Sequence, residues 1–146
     1  MLGGLGTADI FAYGSVTLAF GSRNAALRAA QWAFDAGKQV IFDVNLRPAI
    51  WPDLEEARTQ IGEALATATV VKLNETELAL LTGTDDPIAG SQQLLEQGLQ
   101  LVCVSLRREA RFLTTAVFTA PFLLLRSMCV IQPVVAMRLL LGLPIS

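Results

Sequence analysis

The chain of 146 residues contains no histidine and only two cysteines, Cys103 and Cys129. Without histidine, serine–histidine and cysteine–histidine nucleophile pairs are excluded, and so are the commonest protein ligands of transition metals. The two cysteines have no metal-like spacing and suggest no disulfide framework, so a cytoplasmic location is expected. Any acid–base chemistry must therefore come from carboxylates, lysine or a helix terminus.

Long uncharged hydrophobic runs are also missing. In the tail, the longest uncharged runs are Phe112–Leu125 and Ser127–Met137, and both are shorter than the roughly 20 residues that a membrane-spanning helix needs. The N-terminal stretch contains Asp9 and no basic segment before an apolar run, so it does not resemble a signal peptide. Basic residues do not alternate with the aromatic ones, as a nucleic-acid surface would require. Neither a membrane nor a nucleic acid is an expected partner.

Charge divides the chain into two regions. Residues 1–106 carry twelve acidic and six basic residues, whereas residues 107–146 carry one acid and five arginines. The hydrophobic fraction of 53% is sufficient for one sizeable core. We predict a partial α/β core over residues 1–106 and an apolar, arginine-containing tail over residues 107–146.

The first region alternates strand-like and helix-like segments. Strands are predicted at Asp9–Gly14, Gln39–Val44, Thr69–Leu73 and Leu99–Leu106. Helices are predicted through Asp35 with Ser22 as the cap, from near Asp53, from Asn74 to Thr82 and from Pro87 to Gln97. This alternation predicts an α/β fold: a doubly wound, mostly parallel sheet with helices on both faces.

The segment DVNLRP, Asp43 to Pro48, places polar groups just after a predicted strand. Ligands of open α/β sheets bind at the carboxyl ends of the strands. Arg47 could bind a phosphate through its guanidinium, and Asn45 could orient a hydroxyl or a water. The alternative is a structural loop in which Asp43 and Arg47 only pair with each other, and spacing alone favours that alternative.

The segment KLNETELALLTG, Lys72 to Gly83, also follows a strand and opens a helix. Asn74 and Glu77 are three residues apart at the helix start, where they could hold the water shell of a magnesium ion. The alternative is that Glu77 only completes a capping box with Asn74. Taken by itself, this segment favours the capping box.

In combination these segments point to a known family. DIFAYGSVTLA, FDVNLRPAIWPD and VVKLNETELALLTG, in this order and spacing, resemble the central part of ribokinase-like (PfkB-type) carbohydrate kinases, most closely bacterial fructokinases. The resemblance covers about residues 8–106. It implies a ribokinase-like fold and transfer of the γ-phosphoryl group of ATP to a sugar hydroxyl, with magnesium as cofactor and ATP and a sugar as small-molecule partners.

The resemblance also implies roles for six residues. Asn74 and Glu77 match the motif that helps to place magnesium and phosphates, so they would hold the metal indirectly, through water or phosphate. Asp43, Asn45 and Arg47 match the loop beside the phosphate path, and a lysine like Lys72 can approach the nucleotide. The oligomeric state and the identity of the sugar are not predicted.

The chain departs from the family pattern at both ends. The double-glycine sugar-binding motif is missing before Met1, and after Leu106 the Gly-Ala-Gly-Asp helix start, which supplies the anion hole and the proton-accepting aspartate, is missing. No catalytic residue is retained, so the chain is expected to be inactive. The alternatives are a non-catalytic nucleotide-binding module and a protein anchored by its apolar tail.

A reading-frame slip would explain the tail. When each codon's third base is read with the first two bases of the next codon, Val130 to Leu143 can encode D-T-T-G-x-G-D-A-F-V-A-G-L, which closely resembles the family's catalytic signature. Two of every three bases are constrained, so an accidental match of this length is improbable. The hypothesis is that residues from about Arg107 onward are translated out of frame.

Overall fold

The computed structural model of the protein describes residues 7–105 and the strand formed by residues 127–131. The chain forms two compact units, Met1–Lys72 and Leu73–Ser146, and each is described by itself. The predicted composition boundary between Leu106 and Arg107 lies outside the described residues, as does most of the predicted tail. That boundary stays a prediction.

The first unit is a parallel sheet with the strand order β1-β2-β3. Its strands are β1 (Ile10–Gly14), β2 (Gln39–Asp43) and β3 (Val70–Asn74), whose last two residues belong to the second unit. Its helices are α1 (Ser15–Leu18), α2 (Arg23–Asp35) and α3 (Leu54–Leu65), with a 3-10 turn at Pro48–Ile50. The register places Gly14 opposite Asp43, and Asp43 opposite Lys72.

The ends of the helices follow their local sequence, with one exception. Asp53 caps α3 because its side chain accepts a hydrogen bond from the Glu56 N–H at 2.7 Å. The turn after α2 passes through Gly37 at φ +70°, a conformation that glycine adopts without strain. Ser22 precedes α2 as predicted, but its hydroxyl donates to the Thr17 carbonyl at 2.9 Å instead of capping the helix. Its backbone is already helical there, which turns the hydroxyl away from the first turn.

One hydrophobic cluster of the first unit's core lies between the sheet and α2. Ala30, Ala33 and Val40 are fully buried, and Tyr13 packs against them. The hydroxyl of Tyr13 also donates to the Ala64 carbonyl of α3 at 3.5 Å, so α2 and α3 cover the same face of the sheet. Consecutive right-handed crossovers in one direction produce this arrangement. Helices on the second face stay a prediction for this unit.

Tyr13 is the residue of this core with a perturbed ionisation. The pKa of its phenol is raised to about 12, mainly by burial; the nearby Thr67 hydroxyl lowers the pKa, and the negative charge of Glu63 raises it. Its ring lies 4.9 Å from that of Phe42, centroid to centroid. Tyr13 therefore stays neutral at physiological pH and serves as a packing residue.

The second unit pairs two strands, β4 and β5. It contains α4 (Glu75–Thr82), α5 (Pro87–Glu96), β4 (Leu101–Ser105) and β5 (Ser127–Ile131). Strand β5 runs antiparallel to β4 and places Cys129 opposite Cys103. Buried aliphatic residues form its core: Leu78, Leu94, Leu99, Val102 and Val104. Gly83 ends α4 at φ +75°.

The four predicted strands and four predicted helices are confirmed, and most of their predicted ends lie within two residues of the observed ones. The mostly parallel α/β sheet is confirmed as well. Helix α1, the turn at Pro48–Ile50 and β5 are not among the predicted elements. Helix α1 and the turn are each no longer than four residues, too short for a periodic apolar pattern to reveal them. Across residues 7–105, no helix is long and apolar enough to cross a membrane.

Candidate functional site

The carboxyl ends of β2 and β3 carry an exposed ion pair in the first unit. Lys72 Nζ donates to both carboxylate oxygens of Asp43, at 3.3 and 3.2 Å. Their side chains are 59% and 45% exposed, so water screens this pair and it contributes little to stability. Its charges remain accessible to a ligand at this edge of the sheet.

This pair overturns the alternative in which Asp43 pairs only with Arg47. The parallel register sets Asp43 and Lys72 side by side on neighbouring strands, whereas Arg47 lies four residues farther along the loop. Arg47 is exposed and precedes the 3-10 turn at Pro48. Within residues 7–105, no ion pair of Arg47 is found.

The loop after β2 has a constrained backbone. The Val44 N–H donates to the Lys72 carbonyl at 2.9 Å, so strand pairing continues one residue beyond Asp43. Asn45 then adopts φ +32°, the one positive φ of a non-glycine residue in the described part of the chain. Such conformations cost energy and occur often at functional sites, where the surrounding structure enforces them. The Asn45 carbonyl accepts a hydrogen bond from the Ser15 hydroxyl at 3.4 Å.

The second unit contains the predicted capping box at the start of α4. Asn74 Oδ1 accepts from the Glu77 N–H at 2.9 Å, and Glu77 Oε2 accepts from the Asn74 N–H at 2.7 Å. Glu77 is only 6% exposed. The structural alternative for this motif is therefore present, and both side chains are held rigidly at the end of β3.

The capping box limits what Asn74 and Glu77 can do for a metal. Their oxygens are of the type that magnesium prefers, but the cap occupies Asn74 Oδ1 and Glu77 Oε2. Among residues 7–105 and 127–131 there is no group of three or more histidine, cysteine, aspartate or glutamate residues able to hold a metal. The indirect role of Asn74 and Glu77 toward a metal, through water or phosphate, stays a prediction.

The structure brings the predicted residues together in two groups, Asp43 with Lys72 and Asn74 with Glu77. Asn45 and Arg47 follow Asp43 in the same loop, without a side-chain bond to it among the described contacts. Sequence reasoning missed Gly14 and Ser15, which contact this loop from the end of β1. A glycine and a serine closing the first strand were the only available signal.

Comparison with known proteins identifies the family. The profile described as pfkB family carbohydrate kinase matches residues 4–122. The chain belongs to this family. The PfkB match covers most of the chain and confirms the family resemblance of its three motif segments.

Relatives of the PfkB chain include fructokinases of plants and bacteria. Fructokinase-1 of Zea mays is 49% identical over 79 residues, which are 53% of this chain and 24% of the relative. The crystal structure of fructokinase with bound ATP from Xylella fastidiosa matches with a TM-score of 0.64 and 30% identity, over 75% of this chain and 36% of the other. Fructokinase from Vibrio cholerae, in its fructose, ADP and calcium ion bound form, matches with a TM-score of 0.60 and 33% identity, over 66% and 32%.

These structural matches confirm the predicted ribokinase-like α/β fold. The chain spans about a quarter to a third of the length of the relatives it matches. Their reaction and ligands therefore pertain to a much longer protein.

Proposed function

We propose that this chain carries the phosphate-side part of an ATP-dependent, fructokinase-like sugar kinase. The ancestral reaction is transfer of the ATP γ-phosphoryl group to a sugar hydroxyl, with magnesium, in the cytoplasm. The observation that carries the proposal is the solvent-accessible Asp43–Lys72 pair at the carboxyl edge of a parallel sheet, in a chain of the PfkB family. Edges of this kind bind ligands in open α/β sheets.

Each polar residue has a role within this proposal. Arg47, exposed and without an ion pair in residues 7–105, has the charge and planar fork needed to bind a phosphate. Lys72 is held near Asp43 and supplies a positive charge toward the nucleotide. Asn45 presents an amide from a fixed backbone. Asn74 and Glu77 orient the water or phosphate shell of magnesium. When it is bound, the magnesium ion neutralises phosphate charge.

The chain as it stands is proposed to bind nucleotide without turning it over. Its 146 residues contain no Gly-Ala-Gly-Asp segment, which in the family resemblance supplies the anion hole and the aspartate that accepts the sugar proton. Positioning and electrostatic stabilisation provide nearly all of the catalysis in phosphoryl transfer. Loss of this segment should therefore remove the reaction while leaving part of the phosphate contacts.

Titration of the full chain with ATP, with and without magnesium, tests the proposal by isothermal titration calorimetry. Glu77→Gln should keep the capping box, since glutamine also serves at that position, and should weaken the magnesium-dependent affinity by about tenfold or more, as changes in the outer shell of a metal do. Glu75→Gln is the matched control, because it removes an equal charge from the same helix turn.

The control variant should bind magnesium–ATP like the original chain. The proposal fails if the original chain shows no saturable binding of magnesium–ATP. The indirect metal role of Glu77 fails if both glutamine variants bind equally well.

The out-of-frame origin of residues from about Arg107 onward belongs to the same proposal. It accounts for a catalytic signature that can be encoded, but is not read, across Val130 to Leu143. The family match runs to residue 122, beyond the proposed slip. Sequencing of the gene across the codon for Leu106 decides the matter: an alternative frame without the signature contradicts the slip.

A further inference from the structure

Gly14 ends β1 in close contact with the backbone of the candidate loop. A Cβ atom added to Gly14 would lie 2.9 Å from the Asp43 carbonyl oxygen, nearer than any side chain tolerates. Gly14 has an extended backbone, with φ −141°, so it is not required for its conformational freedom. Glycine is required here because only a residue without a side chain lets β1 approach Asp43 this closely.

Ser15 holds the next part of the same loop. It is fully buried, with 0% exposure, and its hydroxyl donates to the Asn45 carbonyl at 3.4 Å. Asn45 is also the residue with the left-handed backbone. A buried hydroxyl therefore bonds to the peptide whose conformation needs support from its surroundings.

The loop is thus fixed from two sides within the first unit. On the β3 side, the Val44 N–H bonds to the Lys72 carbonyl at 2.9 Å. On the β1 side, Gly14 leaves room for the close approach of the Asp43 carbonyl, and Ser15 holds the Asn45 carbonyl. Neither Gly14 nor Ser15 contributes a charge or a side chain to the exposed edge.

We propose that Gly14 and Ser15 are positioning residues that hold Asn45 in its left-handed conformation and thereby orient the Asp43–Arg47 loop toward phosphate. The importance of this orientation for nucleotide binding rests on the proposed function. A site that binds through preorganised groups loses affinity when its supporting contacts are removed, even if the binding groups themselves remain.

The chain offers a matched control for a buried serine. Ser91 is also 0% exposed, and its hydroxyl donates to the Pro87 carbonyl at 2.6 Å. Ser91→Ala therefore removes a buried hydroxyl and one hydrogen bond to a carbonyl, as Ser15→Ala does. A general loss of stability should affect both variants alike.

The test compares the full-length original chain, Ser15→Ala, Gly14→Ala and Ser91→Ala. The three-bond coupling between the amide and α protons of Asn45, measured by NMR, reports its φ angle. We expect Ser15→Ala and Gly14→Ala to move this coupling toward that of an extended residue. We also expect both to weaken magnesium–ATP binding by about fivefold, the equivalent of one hydrogen bond. Ser91→Ala should change neither quantity.

Ser15→Cys is a second variant in case Ser15→Ala does not fold, since it keeps the size of the side chain and replaces a strong donor by a weak one. The positioning role is overturned if Asn45 keeps its coupling in the Ser15 and Gly14 variants. It is also overturned if the coupling changes while the affinity for magnesium–ATP does not. Absence of ATP binding by the original chain contradicts the proposed function, whereas the coupling still decides whether Gly14 and Ser15 hold the loop.

Discussion

The Asp43–Arg47 loop and the Asn74–Glu77 helix start obtain their geometry in different ways. In the helix start, two side chains three residues apart bond to each other's backbone, so the arrangement is local. In the loop, each constraint comes from a residue about thirty positions away: Ser15 for the Asn45 carbonyl and Lys72 for Asp43. Both segments follow a parallel strand, yet only the helix start determines its own shape.

This difference has consequences for stability and for binding. A local cap stabilises its helix wherever the helix packs, and its loss should affect folding first. A loop held by distant contacts stores strain that other elements offset, so changes there should alter geometry and binding as well as folding. The three substitutions that follow separate these two kinds of effect.

The largest effect is expected at Asn45, where φ is +32°. A β-branched side chain is strongly disfavoured in that region, so Asn45→Val should lower the free energy of unfolding by about 1–3 kcal/mol. Asn45→Gly is the control, because glycine adopts this conformation without strain and should stay close to the original chain. Urea unfolding followed by circular dichroism measures both. Equal losses in the two variants would contradict a strained loop.

Removal of the local cap should have a smaller effect. Asn74→Ala removes the acceptor of the Glu77 N–H bond and should lower the free energy of unfolding by about 1 kcal/mol. Asn74→Ser retains a capping oxygen and should recover most of this loss. The same urea titration applies. If alanine were tolerated as well as serine, the hydrogen bonds of the capping box would not stabilise the helix.

The sequence was informative where its signals were local. The spacing of Asn74 and Glu77 indicated the capping box, and the apolar runs indicated the four predicted strands, because each rests on neighbouring residues. The Asp43–Lys72 pair depends on the register of β2 against β3, and the sequence does not encode that register in any short segment. The alternative in which Asp43 pairs only with Arg47 was wrong because the partner of Asp43 is set by this strand register.

The supporting role of the first strand's end could not be predicted for a similar reason. Gly14 and Ser15 are ordinary residues for a strand end, and their significance depends on which backbone lies beside them. Asn45 is typical of left-handed positions, but nothing in its neighbours specifies that it occupies one. Three-dimensional contacts carry this information, whereas the family motifs carry only the identities of the polar residues.

The smallest effect on stability is expected from Lys72→Met. The Asp43–Lys72 pair is about half exposed on each side, so its loss should change the free energy of unfolding by less than about 0.5 kcal/mol. Affinity for magnesium–ATP should nevertheless fall, because a positive charge beside the phosphate is lost. The difference in affinity between the variant and the original chain should shrink near 1 M salt, where the Debye length is about 3 Å. Arg58→Met, which removes an exposed charge on α3, is the control and should leave the affinity unchanged. A Lys72 variant that loses stability but keeps its affinity for nucleotide would show that this pair supports the fold and does not bind the phosphate. The exposed edge of β2 and β3 would then lie outside the binding site.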